Sequence, residues 1–138
     1  MTRFSAGDPK ARRQLFVDAI TAHRQRASPF LTIEVDETSL EQEADVGPAA
    51  ELGIPWVQFA DGIVNLDCTN EELERLKSLL DTFPAFKIEE LTRPENAEGT
   101  NVRVSAKADP NRIAQFCEAI VREVFACPED VTVWVTAV

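Results

Sequence analysis

The stretch WVQFADGIVNLDCTNEEL (residues 56–73) decides the reading of the whole chain. Asp61-Gly62 stands between two runs that alternate apolar and polar residues, the signature of a hairpin closed by a two-residue turn. Such a turn sets the register: Ala60 faces Ile63, Phe59 faces Val64, Gln58 faces Asn65 and Val57 faces Leu66. One face of the pair then carries Val57, Phe59, Val64 and Leu66. The other carries Trp56, Gln58, Asn65 and Asp67. Pattern and turn agree on which face is buried. Thr69 and Glu72 follow as a capping box, so a helix starts where the second strand ends. It runs to about Leu80 and is expected to bury Leu73, Leu76 and Leu80.

The same rules extend the reading to both ends. Asp8-Pro9 reads as an N-cap with proline in the first turn, opening a helix to about Ala27 with Leu15, Phe16, Ala19, Ile20 and His23 on its apolar stripe. FLTIEVD (30–36) alternates as a strand, and the acidic, turn-rich residues 37–53 read as a loop. Beyond the central helix, AFKIEEL (85–91) is a strand with Phe86 and Ile88 inward, and RPENAEG (93–99) is a turn. TNVRVSAKA (100–108) alternates with Val102, Val104 and Ala106 inward and Arg103, Ser105 and Lys107 outward. Asp109-Pro110 caps a helix whose stripe runs from Ile113 through Phe116, Cys117, Ile120, Val121 and Val124 to Phe125. Glu118 and Arg122 are placed to pair at i,i+4 on its wet side. VTVWVTAV (131–138) closes the chain with Val131, Val133 and Val135 inward and Thr132, Trp134 and Thr136 outward.

From residue 62 onward the order is β-α-β-β-α-β, the ferredoxin-like order. With an N-terminal helix and strand in front, the expectation is one α+β domain over residues 1–138, a single mixed or antiparallel sheet with helices mainly on one face. The hairpin conflicts with that order. It occupies one side of a strand that a ferredoxin-like sheet holds in its middle. Either the last strand is displaced outward or the sheet is a variant.

The chain carries 24 acidic against 14 basic residues, and only four of the basic ones are lysine. Many carboxylates with little lysine suit a salt-adapted surface, where a Debye length of about 3 Å at 1 M salt screens their repulsion. The charge is also uneven. Residues 1–28 hold six basic and two acidic side chains, a net of +4, and the remainder holds eight and twenty-two, a net of −14. A cationic helix attached to an anionic body most simply docks on that body or on a twin subunit.

PWVQFADGIVNLDCT (55–69), FPAFKIEELTRPENAEGTNVRVSAKADPNRIAQF (83–116) and PEDVTVWV (128–135) resemble a family of small acidic haloarchaeal proteins with no assigned function. The resemblance covers about residues 5–135. It implies a salt-adapted host and carries no chemistry with it.

No apolar run reaches the roughly 20 residues of a membrane span, and the N-terminus has no signal-peptide pattern, so the expected location is the cytoplasm. Three cysteines at irregular spacing fit reduced thiols there. Cys68 sits at a helix mouth, where a thiol can be activated, but strand alternation places it with Val64 and Leu66 in the core. Cys117 falls on a buried stripe, and Cys127 precedes Pro128; their spacing matches no zinc pattern. His23 shares a helix face with Phe16 and Ile20. Glu71 and Glu72 suit the helix N-terminus better than acid–base work. No Walker, Rossmann, HExxH or EF-hand motif occurs. No catalytic residue, cofactor or metal site is therefore expected.

What remains is the outward side of the sheet. Trp56, Asn65, Lys87, Arg103, Lys107 and Trp134 form a candidate interaction face. Bare tryptophans are unfavourable, so a cover is expected, either the N-terminal helix through Phe16 and Ile20 or, preferably, a second subunit. An RNA platform fits poorly, since TNVRVSAKA lacks the RNP aromatics and the chain is acidic. The reading is a non-enzymatic protein-interaction or regulatory domain, acting as a homodimer or on another protein, with no membrane or nucleic-acid partner. Its rival is a small-molecule binder or enzyme with a site near Asp67, Arg103 and Trp134. Salt adaptation has a direct test: the melting temperature is expected to keep rising with KCl between about 0.5 and 3 M, where screening is already short-ranged. A flat response fits an ordinary acidic protein instead.

Overall fold

A computed structural model describes residues 2–26, 30–36, 54–93 and 99–137. The expected loop at 37–53, most of the turn at 93–99 and the helix end at Ala27 lie outside the described residues. The elements are β1 (Thr2–Ala6), α1 (Pro9–Arg26), β2 (Leu31–Val35), β3 (Trp56–Ala60), β4 (Ile63–Cys68), α2 (Asn70–Leu80), β5 (Lys87–Thr92), β6 (Thr100–Ser105), α3 (Pro110–Ala119) and β7 (Val133–Ala137). The fold is α+β, and its seven strands form one antiparallel sheet in the order β1-β7-β2-β3-β4-β6-β5.

The hairpin register is the expected one, Val57 with Leu66, Gln58 with Asn65 and Phe59 with Val64. Asp61 and Gly62 both take positive φ, 50° and 75°, as a two-residue turn of the primed type requires. The capping box of α2 is complete: Thr69 Oγ1 accepts from the Glu72 N–H at 3.2 Å, and Glu72 Oε1 accepts from the Thr69 N–H at 2.8 Å. Asp109 caps α3 by accepting from the Arg112 N–H at 2.9 Å. On α2, Leu76 and Leu79 are buried, while Leu73 and Leu80 pack at the core's margin. α3 widens after Ala119 into a π turn over Ile120–Val124, closed by the Phe125 N–H on the Ile120 carbonyl at 2.9 Å. Ala126, at φ 57°, then turns the chain away.

The ferredoxin-like order is not what forms. β4, β6 and β5 are adjacent as that order asks, but β2 and β3 stand between β4 and β7. The last strand is displaced outward because the hairpin and β2 occupy the side it would take. β7 pairs instead with β2 and with β1, a strand unanticipated in the sequence. The result contains two units of the same kind. β1-α1-β2 is a strand–helix–strand unit with β7 inserted between its strands, and β4-α2-β5 is another with β6 inserted.

All three described helices contribute to a core built on one face of the sheet. Phe16 and Ile20 of α1, Leu76 of α2 and Ile113, Phe116 and Ile120 of the α3 region are fully buried among Ile33, Val57, Val64, Val102, Val104 and Val133. Phe16 and Ile20 therefore lie with the valines, and they do not cover the tryptophans on the other face. Phe83, Phe86 and Phe116 cluster with ring centroids 4.9–5.7 Å apart.

The expected Glu118–Arg122 pair is also replaced. Glu118 is buried and binds Arg12, 106 residues away, through two bonds: Arg12 Nε donates to Oε1 at 2.7 Å and Nη2 to Oε2 at 2.8 Å. Arg12 Nη1 donates to the carbonyls of Glu129 and Val131 at 2.8 and 2.7 Å. Arg122 donates to the Cys127 carbonyl instead. Removing one member of a buried ion pair leaves the other charge without compensation. Arg12→Met is expected to cost about 3–5 kcal/mol in urea unfolding, and Arg12→Met with Glu118→Leu less than that single change. A double variant as unstable as Arg12→Met alone contradicts this account.

Candidate functional site

Strand pairing lays the outward residues in rows. One row runs Ser5, Trp134, Glu34, Trp56 across β1, β7, β2 and β3. The next runs Thr136, Thr32, Gln58, Asn65, Arg103, Glu90 across six strands. Trp56 and Trp134 both lie on the face opposite the buried valines, and both are half-buried. Two strand spacings separate them, about 10 Å, with the exposed Glu34 in register between.

Asn65 and Arg103 are direct cross-strand partners. Beside them Asn101 Nδ2 donates to Asn65 Oδ1 at 2.7 Å and to Asp67 Oδ1 at 2.9 Å, which ties β4 to β6 on this face. Arg103 reaches Glu90 at 3.8 Å across an exposed pair, a contact of small energy that leaves the guanidinium accessible. Lys87 pairs in register with Ser105 on the far edge. Lys107 lies beyond the end of β6 and packs over the hairpin turn, where a Cβ on Gly62 would meet its Cγ at 3.3 Å. Trp56, Asn65, Lys87, Arg103 and Trp134 thus lie on strands of the sheet without converging, and Lys107 lies past the end of β6. Trp134 on β7 and Arg103 on β6 are four strands apart, about 19 Å. Asp67, Arg103 and Trp134 accordingly do not close around one small ligand.

Asn101 and Glu34 are among the members of this face that went unread in the sequence. Asn101 alternates with Arg103 in TNVRVS and could have been placed outward by the same rule. Glu34 alternates outward in FLTIEVD in the same way, but its position between the tryptophans depends on the non-local pairings of β2.

The thiols are core groups. Cys68, Cys117 and Cys127 are buried and free. Burial pushes Cys68 up to about 12, with Glu72 and Asp67 adding repulsion to its anion. Cys117 is also raised to about 12 by burial and by Glu118, and Cys127 to about 12 chiefly by burial. Cys68 at the mouth of α2 is thus held as a thiol despite the helix N-terminus. His23 is buried with its ring edge-on to Phe59 at 5.4 Å, and burial, then Arg24, lowers its pKa. Among the described residues no group of three or more His, Cys, Asp or Glu side chains is placed to hold a metal ion, and no helix is long and apolar enough to cross a membrane.

The chain matches the model of a family of unknown function, DUF7975, over residues 1–138. No curated protein and no solved structure matches it.

The thiols supply a test of the core. Since folding raises their pKa from 9.0, their neutral form stabilises the native state below about pH 9, and that contribution is lost as pH rises toward 12. Labelling of the native protein by a thiol reagent at pH 8 is expected to be slow and to track unfolding. Fast labelling of Cys68 in the native state shows a reactive thiol instead.

Proposed function

The chain belongs to DUF7975, and we propose for it a non-catalytic role as a protein-association domain whose contact surface is the outer face of the sheet. One observation carries this reading: the candidate residues spread in register from β7 to β5 across about 24 Å, which is a protein-sized footprint. Trp56 and Trp134 supply large, rigid apolar area, and Arg103 and the Asn65–Asn101–Asp67 group supply polar partners around it. Aromatic anchors with a polar surround are how protein contact surfaces are built. The acidic, lysine-poor composition supports a salt-adapted setting, and the setting that goes with this reading is the cytoplasm of a halophilic archaeon.

The fixed carboxamide–carboxylate group at Asn101 and Asp67 is the observation that favours a second reading, a small polar ligand bound at that end of the face. Crosslinking inside cells separates the two. A photoreactive residue in place of Gln58, in the row beside Trp56, is expected to give an adduct of discrete protein mass, and Trp56→Ala is expected to remove it. An adduct at twice the chain's mass makes the partner a second copy. No adduct, or one indifferent to Trp56→Ala while the variant melts normally, rejects the association reading.

A further inference from the structure

Among the described residues the sheet ends at β1 on one side and β5 on the other, and the two edges differ. β5 is exposed at every residue but Ile88, carries Lys87, Glu89 and Glu90, and breaks register with a bulge between Ile88 and Glu90. Charges and bulges of this kind keep an edge from pairing with another chain. β1 runs in unbroken register with β7, and its central residue, Phe4, is 55% exposed. Between β1 and α1 opens a cleft of about 280 Å³. Phe4 and Val135 line it from the sheet, and Leu15, Ala19 and Ala22 line it from the helix. Asp18 and Arg26, two helical turns apart on the same stripe, carry its charge.

We infer that β1 and this stripe of α1 form the contact with a second copy of the chain. A two-fold contact brings the same patch from both partners together, so residue i of one meets residue j of the other and the reverse. A stripe with an apolar centre, an acid toward one end and a base at the other is complementary to itself in that arrangement. β1 pairs antiparallel with the partner's β1, and the sheet extends to twice its strands. The two α1 helices lie antiparallel, with Asp18 facing the partner's Arg26 and Arg26 facing the partner's Asp18. Gln14 Nε2 donates to Asp18 Oδ1 at 3.0 Å, and Asp18 is exposed on this stripe. The rings of Phe4 from both copies fill the clefts beside the helices. This contact goes beyond the outer-face reading and does not depend on it.

Sedimentation velocity tests it, run at the lowest KCl at which circular dichroism shows the wild-type chain folded, so that the charge pairs are screened least. The wild-type chain is expected at twice its mass. Asp18→Arg sets two arginines against each other at each contact, and Arg26→Asp sets two aspartates, so each single variant is expected to weaken association about tenfold or more. Mixing the two single variants restores both pairs, as does the double variant Asp18→Arg, Arg26→Asp, and dimers are expected to return. Phe4→Asp, at an exposed position, is expected to leave a folded monomer by circular dichroism. A monomeric wild type overturns the assignment. So does a dimer that survives the single reversals, and one that is lost only with Trp56→Ala lies on the outer face.

Discussion

The pairing of Arg12 with Glu118 holds the two ends of the chain in one structure. Arg12 belongs to the first helix, Glu118 to the last, and the carbonyls that take the remaining guanidinium N–H groups precede the last strand. A buried guanidinium needs every donor met and its charge answered, or its desolvation goes uncompensated. Here the carboxylate answers the charge in a two-point fork, and the loop carbonyls take the donors of the third nitrogen. The consequence is positional. α1 covers β1, β7 and β2 while Arg12 locks it to α3 and the 129–131 turn, so a contact buried elsewhere helps set the edge with its cleft.

The same side chain type recurs at the other seams. Arg24 donates to the Ala108 carbonyl at 2.6 Å, and Arg75 reaches the Val124 carbonyl with two nitrogens at 3.0 and 2.8 Å. Arg112 donates to the Thr82 carbonyl and lies over the Phe83 ring, 4.1 Å from its centroid. Each of these carbonyls ends a helix or lies in a turn, where no ladder supplies a donor. The scarcity of lysine beside arginine thus has a local reason as well as a surface one, because a planar fork meets carbonyls and rings that an ammonium meets poorly.

Sequence patterns carried the local structure well and the long-range structure poorly. The Asp61-Gly62 turn, the Thr69 capping box, the Asp109 cap and the valine alternation in β6 and β7 are all written within a few residues of where they act. β1 is not. TRFSA has little alternation to show, and it is a strand because β7 offers it a partner 130 positions away. The ferredoxin-like order failed for a related reason: the hairpin left one flank of β4 occupied, and no local pattern says which strand fills a flank. Glu118 reads as wet because Arg122 stands one helical turn away to pair with it, while the partner that buries it lies on another helix. On the candidate face, alternation placed both tryptophans, but the rows that order them exist only once the pairings are known.

The insertion of β7 between β1 and β2 has a consequence for how the chain reaches its fold. The first unit of strand, helix and strand is made early, yet its two strands have no bonds to each other and must wait with a strand-wide gap between them. During vectorial synthesis the nascent chain therefore holds an open slot, with the apolar faces of Ile33 and Val35 and the charge of Arg12 all lacking their final neighbours until residues 118–137 emerge. Joining Thr2 to Ala137 closes nearly the longest loop the chain can make. Such a topology is slow to complete and exposes strand edges while it waits, so a chain of this kind has reason to keep its early segments soluble by charge.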